Sequence, residues 1–230
     1  MTFLELCRKT AQESGTVSGL ALPATVVNQT GNIKKIIGWT YDAWIDVQQM
    51  KNDWLWMRHE FSKVLLADLG VYGAVSLDAT RHSKFIKTAD VTISDPNDTN
   101  RRENSLKFIE WPDFRSKRLT GKARDARNRP IEWSVNPQGE LVIWPTPDIV
   151  YQIRGEYQKA PQSLEVDTDV PEMPAQYHSL IWREALVLLA VGTESFEQLP
   201  DWKLAAAKSR LRLANDQLPT LSFRAMRPIA

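Results

Sequence analysis

Apolar positions in this chain change their spacing twice. At the start, Phe3, Leu6, Cys7 and Thr10 fall on one face at helical spacing behind Thr2-Phe3-Leu4-Glu5, a capping box with Thr as N-cap and Glu at N3. This predicts a short helix ending near Gly15. Residues 15–30, rich in Gly, Ser, Thr, Pro and Asn, read as a loop. From Gly31, the positions Ile33, Ile37, Tyr41, Trp44 and Val47 recur at intervals of three and four. That spacing predicts a long amphipathic helix ending near Asn52-Asp53.

The middle of the chain loses the helical period. Trp54–Glu60, Lys63–Leu66, Ala89–Ser94, Leu106–Trp111, Ile131–Val135, Leu141–Trp144 and Tyr151–Tyr157 are short and rich in aromatic and β-branched residues. Turn signals such as Asp95-Pro96-Asn97-Asp98 and Asn136-Pro137-Gln138-Gly139 separate them. Ile131, Trp133 and Val135 alternate with polar residues as in a half-buried strand, and the last three segments are close enough for a meander. Helical spacing returns after Pro174, with Tyr177, Ile181, Ala185, Leu188 and Val191 on the buried face and Gly192 near the end. A last helix follows Leu199-Pro200-Asp201, with Asp201 as its cap and Trp202, Ala206, Ser209 and Leu213 inward, and stops by Pro219.

The expected fold class is therefore α+β: a helical bundle formed by both chain ends, a small antiparallel β module inserted between them, and an extended C-terminal tail. The bundle would comprise residues 1–53 and 173–219, the inserted module with its loops residues 54–172, and the tail residues 220–230. No internal repeat or low-complexity segment interrupts this plan.

Composition narrows the functional classes. The 230 residues are 43% hydrophobic and 25% charged, ordinary for a folded domain with a real core. Nine Trp are many, and aromatics dominate the energetics of cores and interfaces. A net charge of +1 gives no global attraction to nucleic acid or anionic lipid, so any such binding is local. One cysteine, Cys7, excludes an intrachain disulfide and a zinc site built on several cysteines. The start lacks the apolar core of a signal peptide, and the longest apolar run, Ala185 to Val191, is too short to span a bilayer. A soluble, non-secreted protein is expected.

Candidate chemistry is sparse. His59, His82 and His178 are scattered without metal-ligand spacing, and a Cys7–His dyad has against it that a Cys at core spacing in a helix is usually a small hydrophobe. No nucleotide-binding glycine loop or G-x-S-x-G is present. Glu110 and Asp113 beside Trp111 are the one set that suggests a glycosidase-like carboxylate pair, and surface is the simpler role for both. The acidic stretch Glu165, Asp167, Asp169, Glu172 lacks a calcium-loop pattern and is broken by Pro171 and Pro174, so it reads as a solvated loop or subunit contact. No catalytic residue, cofactor or metal is expected.

Two segments point to partners. Arg115, Lys117, Arg118, Lys122, Arg124, Arg127 and Arg129 stand against a single acid, Asp125. A solvated loop, an electrostatic contact with an acidic neighbour such as the Glu165, Asp167, Asp169 loop of a second copy, and a contact with DNA phosphates all fit this run; the last lacks interleaved stacking aromatics. The C-terminal Leu221, Phe223, Arg224, Met226 and Arg227 mix apolar anchors with arginines. A disordered end and insertion into a partner groove are the two readings. Insertion is preferred, because Phe, Met and Arg are enriched at interface cores.

Two blocks of the sequence carry a family resemblance. Thr30-Gly31, Ile33, Trp39, Ala43-Trp44, Gln48, Trp54 and Trp56 form the first. The second comprises Gly139, Leu141, Trp144-Pro145, Pro147-Asp148, Tyr151, Tyr157, Pro161, Leu164, Asp167, Asp169, Pro171, Pro174, His178, Ile181 and Ala185. Together they resemble the head-to-tail adaptor (connector) proteins of tailed bacteriophages, over residues 1–58 and 139–215. The resemblance implies a non-enzymatic virion protein made in the host cytoplasm, forming a homo-oligomeric, usually dodecameric ring at the head–tail interface. It implies a portal protein above, a tail or nozzle/stopper protein below, genomic DNA passing through the lumen without sequence-specific binding, and no membrane. It also implies that the C-terminal extension reaches the portal. A ring subunit needs two different faces that meet head to tail, which separate basic and acidic segments supply. The alternative is a nucleic-acid-binding module using residues 115–129.

Overall fold

The computed structural model of the protein describes residues 1–15, 22–99, 102–194 and 196–219. Its contacts divide the chain into two units, one made of Met1–Met57 with the residues from Pro161 on, the other of Arg58–Ala160. The chain therefore passes between the units twice.

The first unit holds helices α1 (Phe3–Ser14), α2 (Gly31–Gln49), α4 (Ser179–Gly192) and α5 (Leu199–Gln217). In α1 both halves of the Thr2/Glu5 capping box form, and Gly15 closes the helix in the left-handed conformation at φ 65°. Helix α4 is the centre of the unit and packs against α1, α2 and α5. The main core joins Phe3, Leu6, Trp44, Val47, Ile181, Ala185 and Leu213 to residues from irregular segments: Val26, Trp54, Met57, Leu164 and Met173. Trp56 stacks between Trp44 and Trp54, with ring centroids 5.6 and 6.5 Å away.

Polar groups bind the irregular segments to the helices. The amide of Gln48, only 2% exposed, donates to the Gln162 carbonyl (3.1 Å) and accepts from the Gln162 N–H (2.7 Å). The Phe3 N–H donates to the Asp169 carbonyl at 2.7 Å, and the Arg8 Nε donates to the Pro23 carbonyl at 2.8 Å. These bonds satisfy backbone groups of a chain that runs close to the core without secondary structure.

The second unit is built on one mixed sheet. Its strands are β1 (Arg58–Leu65), β2 (Val71–Tyr72), β3 (His82–Phe85), β4 (Val91–Ser94), β5 (Glu103–Phe108), β6 (Glu132–Val135), β7 (Leu141–Trp144) and β8 (Tyr151–Lys159), with the short helix α3 (Trp111–Arg118) between β5 and β6. The strand order is β1-β8-β4-β5-β6-β7-β2, and β3 also pairs with β8. All pairs are antiparallel except β5–β6. Strand β8 is the spine: β1 runs along one edge in unbroken register, while β3 and β4 share the other. Gly155 in its middle faces Phe61 on β1, and a Cβ there would lie 2.7 Å from the Phe61 ring.

This arrangement corrects the expected fold class. The fold is not a helical bundle of the two chain ends with a small antiparallel insert. The sheet has eight strands and contains a parallel pair, α3 lies inside the middle region, and the core of the first unit draws on irregular segments as well as on helices. The expected tail lies outside the described residues.

Individual elements differ for identifiable reasons. Trp54–Glu60 is not a strand from its start: residues 55–57 form a 3-10 turn, and the two expected segments 54–60 and 63–66 give way to the single strand β1. The last three strands do not form a meander, because β8 leaves β7 after the cis Trp144–Pro145 bond and pairs with β1, β3 and β4 instead. Strand β6 is buried on both faces: Glu132 and Ser134 are covered as well as Trp133, while Ile131 is 54% exposed. Helix α2 ends at Gln49 and buries Ile36, Thr40, Ala43, Trp44, Val47 and Gln48. Ile37 and Tyr41 instead line an open groove of about 430 Å³. Asp201 lies in the first turn of α5 rather than at its N-cap, which is Gln198, and Val191 of α4 is 57% exposed.

Two histidines couple stability to pH. His178 is buried at the start of α4, with Nε2 2.8 Å from the Met173 carbonyl and Nδ1 2.9 Å from the Met1 nitrogen. A carbonyl only accepts, so Nε2 carries the proton and Nδ1 is the acceptor. Burial lowers the His178 pKa below the ordinary 6.5, and the Met1 charge acts in the same direction; burial also lowers that of His82. A pH unit or more above 6.5 both are neutral whether the chain is folded or not. As pH falls below that value the unfolded chain takes up protons that the folded chain resists, so stability declines. The urea midpoint should drop between about pH 7.5 and 5, and drop less in His178→Gln. An equal drop in that variant would remove His178 from the account.

Candidate functional site

The basic run folds into α3 and the 3-10 turn Gly121–Asp125 that follows it. Pro112 at the first turn sets the helix start, Asp113 lies in that turn, and Arg115, Lys117 and Arg118 occupy the last turn, where cations complement the helix dipole. Phe114 is fully buried and pins the helix to the rest of its unit.

The cations then divide into two sets. Arg118 makes a bidentate ion pair with Glu132 (2.6 and 3.0 Å) and lies over the Trp144 ring at 4.3 Å. Hydrogen bonding to Glu132 raises the pKa of its guanidinium above the ordinary value. Glu132 is 7% exposed, so this pair is what lets β6 be covered on its polar face. Lys117 pairs with Asp113, Arg127 pairs with Asp68, and Arg129 donates to the Ile93 carbonyl at 3.2 Å. Arg115, Lys122 and Arg124 make no ion pair among the described residues.

Arg115 and Arg124 share a groove of about 530 Å³ with Trp111, Leu119, Val71 and Thr146. Sequence spacing did not bring Trp111 to this site. Pro112 and Asp113 directly after it are the signal that would have marked a helix start there. The groove combines half-buried apolar surface with two uncommitted guanidinium groups, a chemistry suited to an extended ligand carrying carboxylate or phosphate.

The acidic stretch is divided in the same way. Asp169 accepts from the backbone N–H groups of Glu165 (2.6 Å) and Val166 (2.9 Å), and these bonds lower its pKa below the ordinary carboxylate value. Asp167 accepts from the Val26 N–H (2.6 Å) and the Thr25 hydroxyl (3.0 Å). Both aspartates therefore hold their own unit together. Glu165 remains exposed, flanked by Val166 and Val170 at 48% and 50% exposure. Residues 115–124 belong to the second unit and residues 165–169 to the first. Leu221, Phe223, Arg224, Met226 and Arg227 lie outside the described residues.

The remaining candidates are occupied structurally. Both carboxylate oxygens of Glu110 accept from Lys87 (2.9 and 3.2 Å), and Asp113 holds Lys117. Cys7 is fully buried, which pushes its thiol up to about 12. Among the described residues no group of three or more His, Cys, Asp or Glu is placed to hold a metal, and no helix is long and apolar enough to cross a membrane.

A sequence model of the SU10 adaptor protein family matches residues 1–228 of the chain. No curated protein matches it.

The two sets of arginines make a testable distinction. Arg118→Ala should lower the thermal midpoint clearly, since it strands a covered carboxylate, and adding Glu132→Gln should recover part of the loss. Arg115→Ala should change stability by less than about 0.5 kcal/mol. Differential scanning calorimetry of the three variants would reveal the contrast, and equal losses would contradict it.

Proposed function

The chain belongs to the SU10 adaptor protein family, a family of bacteriophage structural adaptors, and from that premise we propose that it joins the phage head to its tail. In this reading copies form a closed, dodecameric ring docked under the portal protein, with the tail or a nozzle/stopper protein below. The ring extends the channel through which genomic DNA passes without sequence-specific binding. Assembly takes place in the host cytoplasm, and the finished location is the head–tail interface of the virion.

The observation that carries this reading is the family match over nearly the whole chain. The surface supports it. Leu66, Leu69, Val75, Ile149 and Val150 are exposed on the second unit, and Leu204 and Leu211, two turns apart on α5, are exposed on the first. Exposed apolar groups on each unit suit a protein with more than one protein neighbour. Glu110, Asp113 and Cys7 are committed to ion pairs or to the core, which agrees with a structural role.

Light scattering of the protein alone and mixed with portal rings from the same source tests the proposal. A mass increase equal to a whole ring of adaptors is expected; no association at any salt concentration would defeat it. Removal of residues 220–230 should leave the circular dichroism spectrum and thermal midpoint unchanged and weaken portal docking. Unchanged docking by the shortened chain would remove the tail from the portal contact.

One observation favours a second reading, a nucleic-acid-binding module using residues 115–129: Trp111 lies in the same groove as Arg115 and Arg124. Such a module would bind DNA as an isolated chain, with affinity falling steeply as salt rises.

A further inference from the structure

We infer that neighbouring copies are joined by insertion of the Glu165–Val170 loop of one chain into the Trp111–Arg115–Arg124 groove of the next. The inference rests on the ring reading above and names the contact that would close it.

The loop has the build of a rigid insert. Asp169 caps its first two N–H groups, Asp167 ties it to Thr25 and Val26, the Gln162 amide donates to the Val170 carbonyl at 3.0 Å, and the Asp167 and Asp169 carbonyls accept from Leu4 and Phe3. With both aspartates turned to these tasks, what the loop presents outward is Glu165, Val166, Thr168 and Val170, of which Glu165 and the two valines carry the match argued below. An already ordered loop loses little conformational entropy on docking.

The groove has the complementary build. Trp111, Leu119 and Val71 offer apolar surface to two valines, and Arg115 and Arg124, which make no ion pair among the described residues, offer their guanidinium groups to Glu165. Arg118, which does have a partner, remains fixed on Glu132. A nucleic acid would use the arginines and could stack a base on Trp111 but has no aliphatic group for Leu119 and Val71, whereas the loop's carboxylate and two valines match the whole lining. Knob and groove are different surfaces of one chain, so the contact is heterologous, and repetition of a heterologous contact builds a ring when the rotation closes.

Charge exchange tests this directly. Chains carrying Glu165→Arg, and separate chains carrying Arg115→Glu with Arg124→Glu, each place like charges in every contact they make with themselves. Mixed in equal amounts, they alternate in an even-membered ring with every contact of opposite charge. Each variant alone should need at least about tenfold higher concentration than wild type for ring formation on portal rings, and the mixture should recover. As a second measurement, chains with only Val166→Cys are mixed with chains with only Leu119→Cys and oxidised during assembly. A disulfide between the two chains is expected, and buried Cys7 does not compete. Unimpaired assembly by each variant alone, or no recovery in a mixture of chains folded by circular dichroism, overturns the contact. So does a wild-type-like ring in which the cysteine pair never links. If the wild-type chain forms no ring with portal, the ring reading itself fails. If the groove variant keeps assembly and loses salt-sensitive DNA binding, the groove belongs to nucleic acid.

Discussion

A single buried amide, that of Gln48, sets the condition under which the first unit exists. It bonds the N–H and the C=O of Gln162, a residue 114 positions away, and so completes the chain's return from the second unit. The return carries Leu164, Met173 and then α4 into contact with α1 and α2, and without it their apolar faces have no cover. Closing so long a loop costs entropy that grows only slowly with its length. The cost falls further when residues 58–160 have their own core and sheet, because the ends of an ordered insert are no longer free to wander. Replacing Gln48 with an apolar residue would keep the volume and leave the Gln162 backbone groups unpaired next to the core, a larger penalty than loss of the bonds themselves.

The charged residues follow one rule in both units: part of each cluster builds the fold and part stays outside. In the basic run Arg118 and Arg127 are committed to carboxylates and Arg129 to a carbonyl, while Arg115, Lys122 and Arg124 have no ion-pair partner among the described residues. In the acidic loop Asp167 and Asp169 bind backbone, while Glu165 is exposed. The geometry explains the split. Asp169 is short enough to cap the N–H groups of Glu165 and Val166 within its own loop, and Asp167 reaches the Val26 N–H across to a neighbouring segment. A near-neutral total charge hides this partition, since the two uncommitted sets have opposite sign and lie in different units.

Much of the helical half was legible in the sequence, and much of the sheet was not. Thr2 and Glu5 announced α1 because a capping box is a local interaction, complete within four residues. Apolar spacing alone misplaces the buried face of α2, because that face includes Thr40 and Gln48. Thr40 is satisfied by the Ile36 carbonyl and Gln48 by a residue that no local window contains. In the sheet, strand positions near 91–94, 132–135 and 141–144 could be read from β-branched content, but partners could not. The parallel β5–β6 pair joins residues about 25 positions apart, and β8 pairs with β1, where Phe61 packs against Gly155, rather than with β7; neither is set by a local window. Val71–Tyr72 and His82–Phe85 were too short or too polar to register as strands. The groove escaped notice for the same reason: Trp111 reads as the end of a strand until Pro112 is recognised as the first turn of a helix.

The placement of the uncommitted arginines bears on how an adaptor would treat the DNA that passes it. Guanidinium groups lining a lumen would each hold a phosphate and release it only against the field, so a channel that must let DNA slide is better served by a neutral wall. In the proposed contact Arg115 and Arg124 are covered by the neighbouring copy and neutralised by Glu165, which removes them from the reach of phosphates. The same pairing would make the isolated chain more basic at its surface than the assembled one. Free subunits would then carry a local affinity for polyanions that assembly extinguishes. On this view weak DNA binding by the isolated chain and a DNA-indifferent ring are two states of one surface, and what separates the readings is whether the affinity survives closure.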